Sequence, residues 1–397
     1  MAGAAENKSV VRRALVPLML AVALVIAFIY IVGTTRRVAL LSNNPDGNLV
    51  GAARSDRPQG KVALANVSAL AANPLDQKAV NGAIAARLRA TGDVNRAIRE
   101  IALLRQLGWR NTRALQNLLW RAGNARDLPL MMDTLDALLR REKLLGEVYP
   151  ILNLMAMDPA FRGLLTQRLA ARPPWRPYYL MSASDLSRPE QIEGRYFLMR
   201  AIQKRGDKLT RNEVAPILPK LIGVGRSAQA FDLWRAQQGG KLTTPLTDID
   251  LANAARSMPA DALPVPFEWQ LGSGSGYVVD ASRDERGSFM SIDWSGRGAP
   301  SFATQLTSGR AGRYRLEVTG DPPMSRVANR IGFRLVCPDG KKAEFNPVKA
   351  GAGERMQLVG AGPVPCDYSK LELYGLTETG TSAVSVVLRT VRLERIN

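Results

Sequence analysis

Ser288-Phe-Met-Ser-Ile-Asp-Trp294 alternates apolar and polar side chains, so an extended chain would set Met290, Ile292 and Trp294 on one face. The same two-residue period recurs in Arg313–Thr319 (RYRLEVT), through Tyr314, Leu316 and Val318, and in Ile331–Cys337 (IGFRLVC), through Ile331, Phe333, Leu335 and Cys337. Gly276–Ala281, Phe302–Thr307, Lys370–Leu376 and Val384–Leu393 are further short runs, separated by Gly, Asp and Pro. Strands at a spacing of about ten residues predict an antiparallel β-sandwich, or jelly roll, over residues 263–397, with these stripes as its core.

Towards the N-terminus the period changes. From Leu75 to Gly240 apolar residues recur at i, i+3, i+4 and i+7, which assigns residues 66–262 to helices. Gly92, Gly123 and Gly225 share apolar neighbours at fixed offsets: Ile84, Leu115 and Ile217 before them, then Leu88, Leu119 and Leu221. After them come Ala97, Leu128 and Ala230, then Ile101, Met132 and Trp234. Each set predicts a helix, a turn at the glycine and an antiparallel helix. The segment Asn81–Leu104 (NGAIAARLRATGDVNRAIREIALL) resembles a tetratricopeptide repeat. Leu242–Met258 is expected to add a last helix, capped by Thr247 or Asp248. Leu169–Leu180 (LAARPPWRPYYL) interrupts the helical rhythm, and its Trp175, Tyr178 and Tyr179 form either a packed junction or a candidate partner patch.

Ala14–Gly33 is twenty residues without a charge, enough to cross ~30 Å of hydrocarbon as a helix. No small-x-small cleavage site follows it, so it reads as an uncleaved signal-anchor. Residues 1–13 then form a cytoplasmic N-terminus and 34–65, rich in Gly, Pro and Asn, a flexible linker. Cys337 and Cys366, without a C-x-x-C spacing or any histidine, suit a disulfide in an oxidising compartment better than a metal site. The expected chain is therefore a multidomain α plus β protein: one transmembrane helix, then a tetratricopeptide-like region and a C-terminal sandwich outside the membrane.

The absence of histidine from all 397 residues excludes Ser-His-Asp and Cys-His nucleophiles. A formal charge of +19 favours anionic partners. It is concentrated in residues 61–262, with 30 basic against 18 acidic side chains, whereas residues 263–397 hold 17 against 14. Gly272-x-Gly274-x-Gly276 lacks the Lys-Ser or Lys-Thr of a phosphate loop and is followed by the strand-like Tyr277-Val278-Val279, so it reads as a turn. Asp133 with Asp136, and Asp248 with Asp250, are carboxylate pairs without further catalytic context. Asp280, Asp284, Glu285 and Asp293 are placed where sandwich domains sometimes hold calcium. No catalytic residue, cofactor or metal is assigned.

Phe267-Glu268-Trp269, the Gly312-Arg313-Tyr314 strand entry, the two cysteines and the closing Val391-Arg392-Leu393 resemble carbohydrate-binding, galactose-binding-like jelly rolls. Joined to repeat-like helices behind one membrane span, the whole resembles envelope proteins of exopolysaccharide or capsule systems. That resemblance implies a bacterial inner membrane and periplasm, and a non-catalytic scaffold contacting inner-membrane lipid through its span, a protein partner through its helices and a glycan through its sandwich, while the basic helical region is the expected contact for an anionic polysaccharide. Nucleic acid is not an expected partner. Tyr277 and Tyr374 are the candidate glycan contacts. Tyr374 is preferred because Leu371 and Leu373 claim the core face and leave it outward beside Lys370 and Glu372. The alternatives are a structural interaction protein that binds no sugar and an envelope enzyme.

Overall fold

The computed structural model describes residues 112–238, 244–255, 262–323, 326–350, 355–376 and 382–396. The Ala14–Gly33 span, the 34–65 linker and the Asn81–Leu104 repeat lie outside these residues; among the described ones no helix is long and apolar enough to cross a membrane. The chain divides into two compact units between Trp175 and Arg176.

In the first unit, helices α1 (Thr112–Ala125), α2 (Leu128–Leu139), α3 (Leu145–Met157) and α4 (Pro159–Ala170) bury Leu135, Leu138, Leu152, Met155, Leu165 and Leu169. Two of them start on an aspartate: Asp127 accepts from the Leu130 N–H at 3.1 Å, and Asp158 from that of Ala160 at 2.8 Å. The second unit opens with α5 (Arg176–Met181), α6 (Pro189–Lys204), α7 (Arg211–Val214), α8 (Ile217–Gly223) and α9 (Ser227–Gln237). Buried Arg176 anchors them, its Nε donating to Glu213 at 2.8 Å.

These helices do not form a tetratricopeptide-like repeat, which corrects the expected fold class. Their lengths run from 4 to 16 residues, and prolines interrupt them at irregular positions, including Pro150 inside α3. The glycine register fails for a local reason. Gly225, φ +75°, does end α8: its N–H bonds Ile222 O at 2.9 Å and that of Arg226 bonds Leu221 O at 2.8 Å, the paired bonds of a Schellman turn. The equivalent left-handed residue after α1 is Arg126, φ 55°, with N–H bonds from Arg126 to Gly123 O and from Asp127 to Ala122 O; Gly123 itself lies inside the helix. Aligning Gly123 on Gly225 therefore slips the register by three residues, and a 3.6-residue period largely matches itself at that slip.

The expected Leu242–Met258 helix is corrected too. Residues 244–255 are a strap of turns whose Leu246 and Leu251 are fully buried in the β core, Leu251 taking a left-handed φ of 57°. Thr247 donates to Phe267 O at 2.5 Å, and Ile249 O accepts the Val391 N–H at 2.9 Å. Asp248 caps the Asn253 and Ala254 N–H groups at 2.9 and 2.8 Å. Helix and sheet meet within this unit: Phe231 and Trp234 of α9 each lie 5.3 Å from the Phe267 ring, and Arg211 donates to Glu268 at 2.6 Å.

The strands are β1 (Gln270–Leu271), β2 (Ser273–Gly274), β3 (Tyr277–Asp284), β4 (Gly287–Trp294), β5 (Ser301–Leu306), β6 (Arg313–Asp321), β7 (Ile331–Val336), β8 (Lys342–Ala350), β9 (Arg355–Gly360), β10 (Lys370–Gly375) and β11 (Val384–Ile396). They form one antiparallel, nearly closed, sandwich- or barrel-like sheet in the order β1-β5-β10-β7-β8-β9-β6-β11-β4-β3-β2. β8 turns the corner, pairing with β7 through Lys342, Ala343 and Glu344 and with β9 from Phe345 onward. The inward stripes are those of the alternation: Met290, Ile292, Trp294, Tyr314, Leu316, Val318, Ile331, Phe333, Leu335 and Cys337 are all buried in one core. Cys337 and Cys366 form a disulfide tying the end of β7 to the segment before β10.

Candidate functional site at the seam of the sheet

The first and last strands of the sheet, β1 and β2, are consecutive in the chain and separated by Gly272 alone. The backbone thus crosses from one edge of the sheet to the other and closes it. Gly272 donates its N–H to Phe302 O at 2.7 Å, and a Cβ there would stand 2.5 Å from Ser301 O, so only glycine fits. At Gly274 a Cβ would stand 2.7 Å from the Tyr277 ring, which leans against the turn backbone. Gly276 takes φ +82° and accepts the Ser295 N–H at 2.8 Å. The three glycines read from the sequence as a plain turn are thus the seam. Inside it, Tyr277 from β3 and Trp294 from β4 pack edge-on against Phe302 from β5, at 5.7 and 5.5 Å.

A shallow open groove lies over this seam, lined by the β2–β3 turn, Tyr277, Val278, Asp293, Trp294, Ser295 and the start of β11 at Ala383–Ser385. The strand register explains its surface. Tyr277, Trp294 and Val384 form one cross-strand row, and Val278, Asp293 and Ser385 the next. The first row turns inward and gives the groove its apolar floor; the second points to solvent, with Val278 59% exposed. Arg330 braces the floor, its guanidinium 5.5 Å from the Trp294 ring while donating to Ser382 Oγ and O at 2.7 Å.

Tyr374 stands where alternation put it, opposite Leu371 and Leu373, but in a polar cluster that occupies its ring. The Arg334 guanidinium lies 4.2 Å above the ring centroid, the phenol donates to Glu344, and the ring packs over Gly332. Arg334 Nε also donates to Glu372 at 2.8 Å. Burial and the Glu344 carboxylate raise the Tyr374 pKa; burial works against ionisation of Glu372, yet the hydrogen bonds from Arg334 and Ser301 hold its pKa below the usual range.

The candidate partner patch separates. Trp175 is buried and donates Nε1 to Asp136 at 2.7 Å; Tyr179 is buried beneath Arg195, 3.9 Å from its ring; Tyr178 is 65% exposed. Of the calcium-type carboxylates, Asp284 is held by Arg389 through bonds of 2.7 and 2.6 Å, and among the described residues no group of three acidic or sulfur ligands gathers.

No protein-family model matches the chain, and no curated protein matches it in sequence. Among solved structures it is similar to the crystal structure of FeII HppE, at 15% identity over 58% of this chain and 97% of that one, with a TM-score of 0.15. That score is too low to carry an argument.

Proposed function

We propose that this chain is a non-catalytic, membrane-tethered scaffold of the bacterial envelope whose β-sheet unit contacts glycan at the seam groove, in exopolysaccharide or capsule assembly. One observation carries the glycan reading: the groove is lined by exposed Val278 and the accessible edge of half-buried Tyr277, beside the hydroxyls of Ser295 and Ser385 and the carboxylate of Asp293. Sugar rings present an apolar face and a hydroxyl rim, which such a surface matches. Tyr277 takes the role first given to Tyr374, whose ring Arg334 already covers. The apolar run Ala14–Gly33 supports the tether, and the disulfide supports an oxidising compartment outside the membrane. The exposed Tyr178 ring supports a protein partner on the helices of the second unit.

Calorimetric titration of the full-length chain with neutral and acidic oligosaccharides tests the glycan reading. Binding is expected to fall at least several-fold in Tyr277→Ala and measurably in Val278→Ala, whose side chain is outside the core. Binding to none of them, or binding unchanged in both variants, overturns it.

A further inference from the structure

Asp293 sits at the centre of the outward row, with Val278 of β3 as its cross-strand neighbour on one side and Ser385 of β11 on the other. Its carboxylate is exposed and has no hydrogen-bond or ion-pair partner among the described residues, in a chain carrying a formal +19. The next row along the same face holds a second exposed carboxylate, Asp280, whose cross-strand partner is Ser291, itself paired with Val387. The first arginine on that face, Arg389, comes one row further and is committed to Asp284. None of the residues lining the groove is basic. The groove thus presents one carboxylate, Asp293, unpaired among the described residues, on its outward row, with the Arg330 guanidinium held at its floor by Ser382.

We propose that the seam groove selects amine-bearing saccharides, the sugar ring resting on Tyr277 and Val278 while its ammonium meets the Asp293 carboxylate. This rests on the glycan-binding reading and adds a substrate class to it. An exposed ion pair strengthens binding by a small factor, so the expected selectivity is roughly two- to five-fold and falls with added salt.

The probes are a β-1,4-linked glucosamine tetramer, its N-acetylated counterpart and tetragalacturonate, each titrated into the full-length chain and its Asp293→Asn variant. The amine form is expected to bind tightest to the native chain. Asp293→Asn, at an exposed position, should remove that advantage, read as a larger loss of affinity for the amine tetramer than for the N-acetylated one. Tighter binding of the acetylated or uronic tetramer, or an amine preference that survives Asp293→Asn, overturns the selectivity. If the acetylated tetramer still binds and Tyr277→Ala abolishes that binding, the groove remains a glycan site without it. Binding by none of the three overturns both.

Discussion

Tyr374 is held by three neighbours at once, with a guanidinium over its face, a carboxylate at its hydroxyl and a glycine beneath its ring. Because its pKa is raised in the folded protein, the native state binds that phenolic proton more tightly than the unfolded chain. The stability this contributes is complete below the ordinary tyrosine value near ~10 and is lost as pH climbs through the higher folded value. Tyr374→Phe should therefore lower stability at neutral pH by about 1 kcal/mol, the worth of one partly exposed hydrogen bond, and flatten the decline above pH ~10. Denaturant titrations at several pH values would show it. Alternation placed this residue on the correct face, because strand parity is a local property. Its neighbours were not legible, because Arg334 and Glu344 arrive from β7 and β8 through sheet pairing. Likewise, nothing local distinguishes buried Trp175 and Tyr179 from exposed Tyr178.

At the scale of elements, the two Schellman turns show what composition hides. The left-handed position is filled by glycine after α8 and by arginine after α1. A side chain there is strained by ~1–2 kcal/mol. Gly225→Ala should destabilise by about 1 kcal/mol, and Arg126→Gly should stabilise by a similar amount, as read by paired thermal melts. The long strands were legible because each keeps its period over six or more residues. β8 was not, since Pro347 and the register shift between Pro347 and Lys349 break its alternation. The two-residue β1 and β2 carry no period at all. The strap was misread as a helix because buried Leu246 and Leu251 face the sheet, a tertiary requirement that overrides helical spacing.

At the scale of the whole molecule, the seam groove exists because eleven strands return to their starting point and one glycine joins the ends. Gly272→Ala forces a methyl group against the Ser301 carbonyl and should destabilise the β unit by roughly 1–3 kcal/mol, measurable as a lower denaturant midpoint at unchanged slope. Closure has a colloidal consequence as well. An open sheet ends in a long row of unpaired amide groups on which another chain can build, whereas here the two terminal strands are each two residues long. Beyond the two residues that β2 covers, Val279–Asp284 of β3 stay unpaired on that side, and the charged Asp280, Arg283 and Asp284 there oppose extension by a second chain. The covalent crossing that shapes the groove thus caps only the start of Tyr277–Asp284, and the charges along the rest of that strand are what guard it against intermolecular fibrils.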